Sequence, residues 1–471
     1  MLNFNELSQQ IKPNLSIMKK IYFTRVCIII TTMLTVNVAI SQSAIDYRRS
    51  SLSFVLLEHA GLGSSRDMVV KAYNDNQFPD QYNKHDLKDG SFVFEELELT
   101  QNDFLASGWY VDTLRTMKDF LGALKKPLNP LRYTKADSSE AVMDPNKKDM
   151  FQIKIEKFIR DKDLAKQIVS SWFNRNEETG VMNWDLIKSR GKYSASEEKL
   201  DQSKSVADET NFLMDFELIG NTYTVINKMD FYPNEPYARA LADQAKADLL
   251  VKMAGKPEIL ITKAMEAIEA IYEKTKEGYT VKCNSFLYKL DWDEEIAEKT
   301  KQYFFNNNID AKAAWDTTSI FNISFVGKTT SASLVTFKIG EKRTEEDIIN
   351  LQVKRTMDNA VAKLQKKYIQ FRAVAPISSV EPLTARIGTK QGVESKQKWE
   401  ILEMSFNDLG LPVWKSIGKA AVDKKAPIWD NVQGAEVAVD KDGNPLPIQK
   451  FSTFSGGNKA QPGLHFIRLV K

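Results

Sequence analysis

The sequence predicts an α+β protein: mixed strand–helix modules followed by a small C-terminal antiparallel β-barrel. Three observations lead there. From Tyr47 to about Pro376, runs with strand character alternate with amphipathic runs of helical period. Over the last ninety or so residues the helical period stops, and short alternating runs stand between Gly, Pro, Asp and Asn turns, the pattern of a small barrel or sandwich. At 471 residues the chain exceeds a single ordinary core, and roughly 100–200 residues per domain gives two to four domains.

The elements follow in order. Residues 47–57 read as a first strand, buried at its C-terminal end, and Gly61-Leu-Gly-Ser-Ser as a turn whose Ser64 or Ser65 caps a helix to Tyr73. Phe92 to Leu99 is extended or opens a helix, and Thr100 caps a helix carried by Phe104, Trp109, Leu114, Met117 and Leu121. Pro127, Pro130 and polar residues to Lys148 form a surface connection. Residues 150–174 give an amphipathic helix broken near Asp161, and 188–210 an exposed excursion. Phe216 to Tyr232 reads as strand with a bend or hairpin turn at Gly220-Asn221. Tyr237 to Lys276 gives two helices or one kinked helix, because Gly255-Lys-Pro257 interrupts a helix-forming composition.

A strand around Cys283 runs to Trp292, and Asp293-Glu-Glu opens a helix to Phe305, where carboxylates favour the positive helix end. Ile320 to Gly327 and Ala332 to Ile339 read as a strand pair around a polar turn. Thr344 starts a helix with Ile348, Leu351, Val361 and Leu364 on one side. The barrel strands are expected near Leu383, Lys398, Val413, Ile428, Glu436, Phe451 and Leu464, after a boundary at Pro376–Pro382. The expected organisation is 1–41 leader, 42–148 N-terminal α/β module, 149–375 central α/β region and 383–471 barrel.

Residues 18–42 read as an export signal. Lys19, Lys20 and Arg25 precede an apolar run from Val26 to Val38, and Ala39-Ile40-Ser41 offers small residues for cleavage before Gln42. The run falls short of the roughly 20 apolar residues that span a bilayer, although a retained membrane anchor is the alternative. Residues 1–17 form a polar leader, which makes Met18 a candidate start.

Charge and cysteine content narrow the function. Residues 1–41 hold four of the 65 basic residues and one of the 62 acidic ones, which leaves 61 of each. A balanced body lacks the footprint of nucleic-acid binding, so no nucleic-acid partner is expected. Cys27 lies inside the apolar leader, and Cys283 alone follows it, reading as a buried inert thiol.

Catalytic signals are sparse. His59, His85 and His465 are far apart and fit no zinc spacing, so neither a metal nor a cofactor is expected. Asp291 to Glu295 reads as a helix cap, and Asp440 to Asn444 as an Asp-Gly turn rather than a calcium loop. Arg48 and Arg49 beside Tyr47 are a candidate anion contact. Trp399, Trp414 and Trp429 are candidates for a glycan or peptide groove, with core packing as the alternative.

Ala385 to Glu403 carries a strand ending in Gly388, a Lys390-x-Gly392-Val turn, polar residues, and then Trp399 in an alternating strand. This phrase resembles one found in bacterial envelope-assembly proteins. Val413 to Val422 resembles the Val-Gly-Lys-Ile-x-Val strand that follows it, with Ser416-Ile-Gly418 where a Val-Gly pair is usual. SH3-like barrels at the end of flagellar-assembly proteins have this form. The preceding strand–helix pattern is similar to the α/β modules of curli-secretion and Tol-Pal-like envelope families. The resemblance implies a scaffold without catalytic residues.

The expectation is an exported protein of the periplasm or outer-membrane periphery of a Gram-negative bacterium. It would bind or scaffold an envelope protein or a cell-wall or glycan component, with peripheral outer-membrane association. The alternatives are an exported hydrolase whose site forms between modules, and a glycan- or peptide-binding module.

Overall fold

The computed structural model describes residues 50–76, 82–84, 87–88, 90–100, 102–103, 150–183, 218–305, 309–334, 343–406, 412–435, 437, 439–440, 444–445, 449–462 and 464–470. The export signal, the 104–148 stretch and the 188–210 excursion lie outside these residues. Among the described residues no helix is long and apolar enough to cross a membrane.

The architecture is mixed α+β. A six-stranded sheet is built on β1 (Ser50–Glu58), whose edge pairs with β2 (Tyr82–Lys84) at one end and β3 (Ser91–Val93) at the other, both parallel. The opposite edge of β1 pairs in parallel with β4 (Thr222–Pro233). An antiparallel meander continues through β5 (Tyr279–Leu290) and β6 (Ile323–Leu334). One face packs α1 (Arg66–Asn74) and α8 (Glu345–Lys367) over Leu56, Met229, Val281 and Cys283. The other face packs α2 (Met150–Asp161) over Val55, Leu57, Ile226 and Phe286, while α3 (Leu164–Trp172) packs against Ile219 and Leu290. The expected break between α2 and α3 falls at Asp163, in the left-handed conformation.

The hairpin of α4 (Asn234–Lys252) and α5 (Glu258–Thr275) is inserted between β4 and β5, turning at Gly255 with φ 79°. After β5 come α6 (Glu294–Phe305) and α7 (Ile309–Thr317). A reciprocal capping box between Thr344 and Asp347 starts α8, and acids in its first turn and lysines in its last complement the helix dipole.

Three local expectations need correction. Ser65 makes no cap; its hydroxyl instead contacts the Tyr279 hydroxyl at 3.2 Å and Glu345 at 3.3 Å. Leu218–Gly220 is a helical turn, and β4 is one twelve-residue strand without a hairpin. The polar Gly327-Lys-Thr-Thr stretch lies inside β6 instead of turning it. Its alternate hydroxyl residues face α8, where Gln352 donates to the Ser333 carbonyl at 2.6 Å, and Tyr368 crosses so close to Gly327 that a Cβ there would lie 2.2 Å from its hydroxyl oxygen.

The C-terminal strands are β7 (Val374–Val380), β8 (Leu383–Ala385), β9 (Lys398–Phe406), β10 (Pro412–Val422), β11 (Ser452–Gly456) and β12 (His465–Leu469). Their pairings close in the order β10-β11-β8-β7-β12-β9. The first of them begins at Val374, so the expected boundary at Pro376–Pro382 falls inside this module. Pro376 is tolerated because pairing of β7 to β8 begins only at Ile377. Ile428–Val432 forms no strand, and near 436–439 the described residues show only an isolated Val439–Pro445 bridge. The interior holds Ile377, Leu383, Trp399, Ile401, Val422, Phe454 and Ile467.

Candidate functional site

The chemistry-bearing side chains of the sheet gather where β1 ends. Leu57 is in register with Lys228, so β4 runs on past the end of β1 and places Met229 and Asp230 beside the departing chain. The carboxyl ends of parallel strands are where open α/β sheets form ligand crevices. His59 follows β1 there and faces Phe151 of α2, edge to face, with 6.4 Å between ring centroids.

Both nitrogens of His59 are committed to backbone. Nδ1 accepts from the Gly61 N–H at 3.0 Å, and Nε2 lies 3.0 Å from the Met229 carbonyl. A carbonyl accepts and an amide donates, so the proton sits on Nε2. Burial pushes the imidazole pKa down, and the Lys228 ammonium pushes it further, against the pull of Asp230. The ring is therefore neutral. Asp230 Oδ1 approaches Nε2 only to 3.6 Å, because its carboxylate is occupied by the Lys228 ammonium at 2.7 and 2.8 Å. That ammonium also lies 4.8 Å from the centroid of Phe151. Gly61 is demanded by this crowding: a Cβ would stand 2.3 Å from His59 Cε1 and 2.5 Å from Asp230 Oδ1.

Glu58 completes the cluster. Its buried carboxylate accepts from Arg66 Nε at 2.8 Å, pairs with Arg66 Nη2 at 2.7 Å, and accepts from the Ser91 hydroxyl. The cluster thus ties β1, β3, β4 and the head of α1 together. Its acceptors and donors serve one another, and His59 can act as a base only by breaking its bond from Gly61.

On the opposite face, Asn227 donates to the Tyr73 hydroxyl at 2.8 Å and accepts from the Ser285 hydroxyl at 2.6 Å. The Cys283 thiol lies 3.4 Å from Ser285 Oγ, and burial pushes its pKa up to about 12. Burial also raises the Tyr73 phenol. These groups are separated from His59 by the thickness of the sheet.

The other sequence candidates disperse. His465 belongs to the C-terminal module, where Nδ1 accepts from the Gln461 N–H at 3.0 Å. His85, Arg48 and Arg49 lie outside the described residues. Among the described residues no group of three or more His, Cys, Asp or Glu could hold a metal ion. Asp293 accepts from the Ile296 N–H at 2.8 Å as a helix cap, and Asp440 accepts from the Asn444 N–H at 2.9 Å, while residues 441–443 of the expected Asp-Gly turn lie outside the described residues.

Of the three tryptophan candidates, burial withdraws Trp399 alone from a groove. Trp399 is 1% exposed and packs edge to face on Phe454 at 5.4 Å, so it fills the interior. Trp414 is half-buried against Phe466 at 4.9 Å. Trp429 is half-buried, its backbone N–H donating to Ser452 Oγ and its backbone carbonyl accepting from the Thr389 N–H. A ring of short strands needs bulky interior residues, and that demand takes Trp399 inward.

A further polar contact, unanticipated from the sequence, is the seat of the C-terminal module on α8. Asp358 accepts from the Gly434 N–H at 2.9 Å and lies 3.8 Å from the Lys390 ammonium; burial raises its pKa. Arg355 donates to the Gly434 carbonyl at 3.3 Å, Gln433 donates to Asn359 at 3.2 Å, and Lys366 pairs with Glu394. Lys390 comes from the Gly388-Thr-Lys-Gln-Gly392 turn, held from behind by Asn431, which accepts from the Lys390 N–H at 2.8 Å. The one legible signal was that glycine-bounded turn itself.

No family model matches this chain, and no curated protein matches it.

Proposed function

We propose that the chain is an exported envelope protein that binds or scaffolds another envelope component without catalysing a reaction. In this reading the six-stranded C-terminal ring is an SH3-like barrel. The observation that supports the reading most is the state of His59. It is neutral, both its nitrogens are held by backbone, and the carboxylate beside it is engaged by Lys228. An imidazole so committed is a fastening. The seating of the barrel on α8 through Asp358 supports a rigid multi-module body, as a scaffold requires.

The test is affinity capture from the native envelope after cross-linking, combined with N-terminal sequencing of the captured chain. The expected result is a chain beginning at Gln42 in the envelope fraction, together with a defined envelope partner whose capture survives His59→Gln. An unprocessed chain among soluble cytosolic proteins would overturn the location. Substrate turnover abolished by His59→Gln in a folded variant would overturn the non-enzymatic role.

A further inference from the structure

The α4–α5 hairpin buries very little of itself. Its small core is Ala238, Ala242 and Tyr272, with Ile268 packed against them, all on the strand-proximal part of the hairpin. No residue from 243 to 271 is buried. A nineteen-residue helix is about 28 Å long at 1.5 Å per residue, so the turn stands roughly that far along the helix axes from the strands.

The tip is apolar and basic together. Leu250 is 54% exposed, Val251 79%, Ile259 66% and Leu260 49%. Four of the fourteen exposed large hydrophobics among the described residues thus fall between positions 250 and 260, on both sides of the turn. Large apolar side chains left exposed together around one turn mark an interaction site. Lys252, Lys256 and Lys263 surround it, and Glu258 is the sole acid from 249 to 263, so the tip carries a net charge of +2. None of the three ammoniums meets a carboxylate among the described residues.

We propose that this tip docks on an anionic phospholipid surface. Leu250, Val251, Ile259 and Leu260 enter the headgroup–acyl boundary, and Lys252, Lys256 and Lys263 meet the lipid phosphates. Charge complementarity selects this occupant over a second copy of the chain. An isologous contact would set the same lysines against themselves, whereas anionic headgroups neutralise them. The arrangement agrees: Leu250–Val251 and Ile259–Leu260 flank the turn as adjacent pairs, while the other exposed large apolar residues of the hairpin, Leu241 and Ile271, stand singly nearer the strands, so no single helix face carries the row that a helix-in-groove contact requires. The inference deepens the envelope reading and rests on it only for which membrane is met.

The test uses the full chain with Cys27→Ser and Val251→Cys, carrying an environment-sensitive dye at position 251; the buried Cys283 stays unlabelled. Vesicles of phosphatidylcholine with and without phosphatidylglycerol are added, some with brominated acyl chains. The expected result is a blue shift and bromine quenching that require phosphatidylglycerol. The same dye at Lys274→Cys, near the strand end of α5, stays unquenched. Replacing each of Lys252, Lys256 and Lys263 by glutamate weakens the apparent affinity at least roughly fivefold. No vesicle-dependent signal at position 251 overturns the proposal. So does equal quenching at both positions, which would assign binding to another part of the chain. A dye at 251 that is shifted without vesicles, with a doubled mass in light scattering, assigns the tip to a second copy and overturns it too. Cytosolic fractionation of the native chain would remove the envelope reading and leave the vesicle result standing.

Discussion

The Lys228 ammonium lies between the two carboxylate oxygens of Asp230, at 2.7 and 2.8 Å, both residues buried on one strand. Positions two apart on a strand share a face, so the pair follows from β4 being a strand. Breaking such a buried pair strands a charge, at a cost of about 3–5 kcal/mol, whereas replacing both partners by apolar groups costs far less. Asp230→Ala is therefore expected to lower unfolding stability by about 3–5 kcal/mol, and Lys228→Met with Asp230→Leu by well under the sum of the single changes. Denaturant unfolding measures both. A loss below about 1 kcal/mol for Asp230→Ala would show that water reaches the pair.

Gly61→Ala places a Cβ where His59 Cε1 and the Asp230 carboxylate already stand. Overpacking of this kind costs about 1–3 kcal/mol, and here it also pushes the imidazole off its backbone partners. The check is a lowered melting temperature together with faster exchange of the Gly61 amide proton. Unchanged exchange would mean that the loop accommodates the methyl without disturbing His59.

The pKa of His59 is lowered from 6.5 in the folded chain. Between that lowered value and 6.5 the unfolded chain binds a proton that the folded chain refuses. Its contribution to stability is therefore complete above 6.5 and is lost as pH falls through that window. His59→Gln is expected to flatten the stability–pH curve below 6.5 and leave it unchanged above. NMR titration of the imidazole checks the direction; a midpoint above 6.5 would contradict it.

Cys283 is 0% exposed and its thiol is pushed up to about 12. With Cys27 replaced by serine, the folded chain is expected to resist a thiol reagent at pH 8 and to react fully in denaturant. Modification at the rate of a free thiol without unfolding would place Cys283 at an accessible surface.

Asp358→Ala leaves the Gly434 N–H without its acceptor and frees Lys390, at a cost of about 1–3 kcal/mol. The seat between α8 and the barrel is expected to loosen, seen as faster limited proteolysis between Lys367 and Val374. Gly434→Val should act alike, because φ is 75° and its Cβ would lie 3.0 Å from Arg355 Cγ. Cleavage at the wild-type rate in both variants would assign the barrel's attachment to other contacts.

Much of the α+β alternation was legible residue by residue. The break between α2 and α3, the turn at Gly255, the cap of α8 by Thr344 and the β5 strand all depend on side chains within a few positions of one another. Periodicity and capping report such neighbours directly. The errors fell where a distant partner overrides the local pattern. Lys328-Thr329-Thr330 reads as a turn until α8 supplies a surface for β6, and Pro376 reads as a linker until β12 pairs with β7.

The sequence by itself determined the mixed class, the positions of β1, β5, α2, α3 and α8, and the change of character over the last ninety or so residues. Tertiary structure alone decided that Trp399 turns inward, that β7 belongs to the closing ring, and that His59 meets Met229 across 170 positions of chain. The physical reason is range. Period and turn chemistry act over a few residues, whereas the pairing of β1 with β4 sets which side chains meet where the strands end.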